Sequence, residues 1–99
     1  MCYVSICEDV EDSLEGRMET RLIHLERLEA LNKEGRLMLA GATPSIDSED
    51  PGKAGFTGSV IIAEFESLES AQEWADEEPF LEAGIYKSIT VKPFRKALP

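Results

Sequence analysis

The chain has 99 residues, of which 42% are hydrophobic and 30% charged. That is enough apolar content for one small packed core, expected as a single domain over 1–99, and too much for disorder. Twenty acids against ten bases give a net charge of -10, which excludes a phosphate-neutralising nucleic-acid face and disfavours an anionic membrane surface. No apolar run approaches the ~20 residues of a membrane span. The opening MCYVSICEDV lacks the basic and long apolar regions of a secretory signal.

Residues 2–8 alternate as a β-strand, with Val4 and Ile6 on one side and Tyr3, Ser5 and Cys7 on the other. Cys2 and Cys7 lie about 16 Å apart along that extended chain, beyond disulfide reach. Two free thiols suit a reducing cytoplasm, and with one His they make no recognisable metal spacing. A helix opens at Asp12 or Ser13, where Asp12 and Glu15 resemble a capping box, and runs to about Glu34 with Gly35 as its stop. At about 100° per residue, Leu14, Met18, Leu22, Leu25 and Leu28 form its apolar stripe. Glu29 and Lys33 are spaced as an i,i+4 pair.

A second strand is expected at 36–42 and a loop at 43–57, long enough to be of functional interest. A third strand follows at 58–65. Its run Val60–Ala63 is apolar on both faces. Helices can cover only one face of a two-layer sheet, so a second copy of the chain is the simplest cover for the other. Ser67 caps a second helix over 68–77, with Leu68, Ala71, Trp74 and Ala75 inward. Pro79 ends it, Phe80–Ala83 is a connecting turn, and 86–91 is the last strand with Pro93 at its end or edge. The order βαββαβ is the ferredoxin-like α+β arrangement, a four-stranded antiparallel sheet with two helices on one face.

Arg17, Arg21 and His24 share one edge of the first helix by their i, i+4, i+7 spacing. Arg21 falls beside the apolar stripe. The chemical reading is a cationic site for a small anionic molecule; the plainer one is ion pairing with the abundant acids, the aliphatic stems covering the core. His24 is the only His and the default general acid/base, although a lone His at a helix edge often serves packing alone. The segment 64–82 holds eight acids and no base, mostly a solvated surface. There is no phosphate loop, no nucleophile elbow and no carboxylate cluster with metal spacing, so no cofactor or metal is expected.

Several blocks, in one order, carry a further signal: SLEGRMETRLIHLERL at 13–28, EGRLMLAG at 34–41, residues 47–80 from DSEDPGK to EEPF, and AGIYKSITVKPF at 83–94. With the opening strand, the chain resembles the YciI family (YCII-related proteins) of the dimeric α+β barrel group. The resemblance implies a ferredoxin-like subunit that packs as a homodimer, sheet against sheet. It also implies an active site centred on a histidine and an acid. The histidine maps onto His24. The acid, usually Asp before Pro, is Glu78 here, with Asp47 as second choice. Arg17 and Arg21 would hold the substrate, and Ser59, Phe80 and Tyr86, in the matching blocks, complete the candidate binding set. A second departure is Ala42-Thr43, where the family often has Pro after the glycine that matches Gly41.

Some relatives resemble lyases that remove HCl from chlorinated hydroxyquinols, which implies proton transfer on a small anionic, often aromatic compound. Three functions stay open at this point: a lyase or isomerase, a metabolite-binding module without catalysis, and a structural or regulatory dimer. Loss of turnover with retained binding on changing His24 marks the first. Binding without turnover marks the second, and the absence of any ligand marks the third.

Overall fold

The computed structural model describes all residues from Met1 to Pro99. Four strands make one antiparallel sheet: β1 (Cys2–Asp9), β2 (Leu37–Pro44), β3 (Phe56–Glu64) and β4 (Tyr86–Phe94), in the spatial order β2-β3-β1-β4. Helix α1 (Leu14–Lys33) links β1 to β2, while α2 (Leu68–Asp76) and the one-turn α3 (Pro79–Glu82) link β3 to β4. This is the expected α+β, ferredoxin-like topology. Of the segment 80–83, expected as a plain turn, residues 80–82 belong to a short helix with Ala83 as its C-cap, because Pro79 occupies its first turn and Glu78 caps it.

The central pair β1 and β3 fixes what faces where. Ser5 sits opposite Ile61 and Ile6 opposite Val60. Tyr3, Ser5, Cys7, Ser59, Ile61 and Ala63 are buried beneath the helices, and Val4, Ile6, Val60 and Ile62 share the other face by the period of two. No helix packs on that second face, where Ile6 stays 40% exposed while Ile62 is shielded by its strand neighbours to 8%. At Gly58 the backbones of β1 and β3 approach so closely that a Cβ would stand 2.0 Å from the Cys7 carbonyl oxygen, so only glycine fits. A bulge at Lys87 of β4 pairs Asp9 with Tyr86, which brings Tyr86 to the buried side where Asp9 already lies by the alternation of β1.

Helix α1 differs from expectation in phase. Its buried residues are Arg17, His24, Leu28 and Leu31, whereas Met18 and Leu22 are exposed. The expected stripe therefore ran along the side of the contact face. The capping box does not form: Asp12 takes a left-handed φ of 56°, and Ser13, the true N-cap, donates its hydroxyl to the Asp9 Oδ2. The helix stops as expected at Gly35, whose φ of 73° lets its N–H reach the Asn32 carbonyl. Glu29 and Lys33 do not pair; the five ion pairs of the chain lie elsewhere. In α2 the Ser67 side chain accepts from Ser70 N–H as a cap. Ala71 and Ala75 are buried, but Leu68 at the helix start is exposed.

Two buried clusters result. One joins Cys7, Leu28, Ile61, Phe80, Ile85 and Tyr86, and the other Tyr3, Leu31, Ala63, Phe65 and Ala71. The strand β4 continues to Phe94, with Pro93 paired to Tyr3 on an edge strand, where a missing N–H costs little. No helix is long and apolar enough to cross a membrane.

Candidate functional site

Between α1, the β2–β3 half of the sheet and α3 lies a cavity of about 450 Å³, within the range of small-molecule sites. Its wall is mostly apolar, with Leu14, Leu25, Leu28, Phe56, Ile61 and Phe80 contributing. Four polar side chains also reach it: Arg17, Arg21, His24 and Ser59.

His24 is carried inward on α1 and is 8% exposed. Its Nδ1 lies 2.6 Å from Oε1 of Glu78, a side chain with no exposure at all. A carboxylate only accepts, so Nδ1 donates and Nε2 is left with no protein partner. The ring stacks on Phe80, with centroids 4.1 Å apart and planes 10° from parallel, and Tyr86 meets it edge-on at 6.4 Å. Aromatic packing and the carboxylate together leave the imidazole one orientation.

Glu78 does several things from one position. It precedes Pro79, and its Oε1 accepts from Phe80 N–H at 3.3 Å, which starts α3 and places Phe80 under the imidazole. Its Oε2 lies 3.4 Å from Arg27, whose other nitrogen donates to the Trp74 carbonyl at 2.9 Å. The carboxylate is thus buried but fully partnered, as burial of such a group requires. Asp47, the second choice for the acid, sits in the exposed loop after β2 beside Ile46 and Ser48 and does not meet His24.

Arg17 and Arg21 exchange the weights the helix count gave them. Arg17 is buried, and it donates to both carboxylate oxygens of Asp9, at 2.6 and 2.8 Å. It also donates to the Gly58 carbonyl at 2.8 Å and to Ser59 Oγ at 3.0 Å. Its guanidinium carbon lies 5.2–5.7 Å from the ring centroids of Phe56, Phe80 and Tyr86. Arg21 is exposed, makes no ion pair within the chain and stands at the cavity wall. The expectation that Arg21 borders the buried face fails because α1 is rotated from the predicted stripe.

Tyr86 is buried, and its hydroxyl donates to Ser59 Oγ at 2.8 Å. Burial raises its phenol above the usual range, and burial likewise pushes the Cys7 thiol up to about 12. Cys7 is therefore a protonated core residue at neutral pH. No group of three or more His, Cys, Asp or Glu side chains is placed to hold a metal ion. The sequence reading missed Asp9, Arg27 and Phe56. Asp9 carried a usable signal, an acid in register with the buried side of β1; Arg27 lies one helical turn from His24.

A profile of the YCII-related domain matches residues 1–95. The chain is 57% identical to protein YciI of Escherichia coli and of Shigella flexneri over 96 residues, which is 97% of this chain and 98% of theirs. An uncharacterized Haemophilus influenzae protein is 49% identical over the same extent. Among solved structures, the chain is similar to 5-chloro-2-hydroxyhydroquinone dehydrochlorinase (TftG) of Burkholderia phenoliruptrix in complex with 2,5-dihydroxybenzoquinone. That likeness has a TM-score of 0.83 at 25% identity, over 96% of this chain and 94% of that one.

Proposed function

Since the chain belongs to the YCII-related family, we propose that this cavity is the active site of a proton-transferring enzyme, of lyase or isomerase type, for a small anionic substrate of aromatic size. The observation that carries the reading is the His24–Glu78 contact at 2.6 Å, with Nε2 as the one ring nitrogen free for a substrate proton. His24 acts as general acid/base. Glu78 acts through it, holding the tautomer and the ring angle. Arg21, with no partner in the chain, attracts the anion at the cavity wall; Arg17, neutralised by Asp9, serves the inner end as a hydrogen-bond donor.

The similarity to a dehydrochlorinase supports an elimination. Loss of HCl is redox-neutral: one proton passes to a base, the electron pair it leaves forms the new π bond, and chloride leaves with the pair of the broken C–Cl bond. His24 Nε2 is the base available here. The test is chloride release from 5-chloro-2-hydroxyhydroquinone by the parent and by His24→Gln. The expected loss is ~10²–10⁴-fold, with binding held within a few-fold. Equal rates would remove His24 from the mechanism. No release above the buffer rate, with a saturable shift of the His24 resonances, would turn the reading to a binding module.

We further propose that a second copy covers the open face of the sheet. Val4, Ile6, Leu39, Val60 and Ile62 supply a contiguous apolar surface there, in register across β1, β2 and β3. Burying such a surface contributes about 25 cal/mol for each Å² removed from water.

A further inference from the structure

We propose that Ser59 and Arg17 form a two-donor hydrogen-bond site at the inner end of the cavity, which recognises an uncharged or delocalised oxygen of the substrate such as a ketone or quinone oxygen. This rests on the cavity being the substrate site. Ser59 is 3% exposed and Arg17 8%, and both line the cavity.

Counting donors and acceptors gives the argument. Ser59 Oγ accepts from the Tyr86 hydroxyl at 2.8 Å and lies 3.0 Å from Arg17 Nη2, whose two protons are shared among Asp9, Gly58 and Ser59. Its own proton has no acceptor in the chain. Arg17 spends Nε and Nη2 on Asp9, Gly58 and Ser59, while Nη1 has no protein partner. No buried side-chain nitrogen or oxygen is left without a hydrogen bond, so Nη1 is accessible. Two donors therefore belong to cavity-lining residues with nothing of the chain to receive them, and His24 Nε2 is the unpartnered acceptor on the same wall.

The electrostatics set the class of ligand oxygen. Asp9 cancels the charge of Arg17 through two hydrogen bonds, so the inner end offers donors without a net charge. An acceptor oxygen suits it, and a full carboxylate is matched better by unpaired Arg21. Asp9 and Tyr86 are positioning residues: one aims the guanidinium, and the other commits the serine proton. During proton transfer by His24, negative charge that grows on the bound oxygen meets donors already in place.

Two probes, both trigonal at the varied carbon, separate the outcomes: 4-acetylbenzoate, with a ketone acceptor, and 4-isopropenylbenzoate, with none. Both carry a carboxylate for Arg21. Titration calorimetry on the full chain should show the ketone binding about tenfold tighter, because the apolar probe leaves buried donors unpaired. In Ser59→Ala that ratio should fall several-fold. Should Ser59→Ala not fold, Tyr86→Phe frees a lone pair on Ser59 and should also lower the ratio. Equal binding of the two probes by the parent, or an unchanged ratio in the folded variant, would overturn the donor pair while leaving the cavity as an anion site. Binding of neither probe would overturn the substrate-site reading and the donor pair with it.

Discussion

Asp9 and Arg17 are joined by two hydrogen bonds, Oδ2 to Nε at 2.6 Å and Oδ1 to Nη2 at 2.8 Å, with both side chains nearly out of water. This pair ties the end of β1 to the first turns of α1. Asp9→Asn should lower stability by about 3–5 kcal/mol, since it leaves a buried guanidinium without its counter-charge. The double change Asp9→Leu with Arg17→Met should cost less than the sum of the two single changes. Urea unfolding of the four proteins checks this, and additive losses would show that the pair is not coupled.

Glu78→Gln tests the hold on the imidazole. In the parent, the carboxylate forces the proton onto Nδ1. A carboxamide can accept or donate, so both tautomers become available. At a pH where the imidazole is neutral, the ¹⁵N shifts of the single histidine should report one tautomer in the parent and a mixture in the variant. Turnover should fall by ~10²–10⁴-fold. A single unchanged tautomer would show that Phe80 stacking alone orients the ring.

The neighbouring isoleucines of β3 should behave differently. Ile61, 2% exposed, packs in the cluster with Cys7, Leu28 and Phe80. Ile62, 8% exposed between its strand neighbours, lies on the side of the sheet that no helix covers and belongs to neither buried cluster. Ile61→Asp should abolish folding, because an unpaired charge enters the core. Ile62→Asp should leave the far-ultraviolet circular dichroism intact and reduce the particle to a single chain of 11.0 kDa in light scattering. A parent that already scatters as one chain would refute the dimer.

Alkaline stability follows from two buried acids. Burial raises the Cys7 thiol from 9.0 to about 12 and raises the Tyr86 phenol too. Above about pH 9 the unfolded chain has lost the thiol proton that the folded chain retains. Stability therefore falls as pH rises, by roughly 1 kcal/mol per pH unit per group. Urea midpoints should hold near pH 8 and decline from pH 9 to 11, with the onset delayed in Cys7→Ala. A flat profile to pH 11 in the parent would count against the buried thiol.

The alternation of β1 and the two-sided apolar run of β3 made the sheet readable from short-range pattern alone, because a strand's burial repeats every two residues. Helix α1 was not readable in the same way. Arg17 and His24 occupy its inward face because Asp9 and Glu78 receive them there, and those partners lie 8 and 54 residues away in sequence. A hydropathy stripe treats such residues as outward and rotates the helix accordingly, which exchanged the roles of Arg17 and Arg21. The pairing of His24 with Glu78 was accessible only through resemblance. The donor role proposed for Ser59 depends on three elements meeting and leaves no mark in any local segment.

Two glycines on the strands of this cavity differ in what evolution can do with them. At position 58 the contact with the Cys7 carbonyl forbids even a methyl group, so the backbone that presents Ser59 and the Gly58 carbonyl to Arg17 is closed to variation. Gly41 also lines the cavity, but a Cβ built there meets nothing within 4 Å. Gly41 pairs with Val60, so a substituent there projects onto the open face of the sheet and leaves the chamber and the imidazole as they are. A saturation library should return glycine alone at 58 among folded clones and a wide range at 41. Divergence among descendants of this scaffold would then run through the open face of β2, with the cavity wall behind it inherited unchanged.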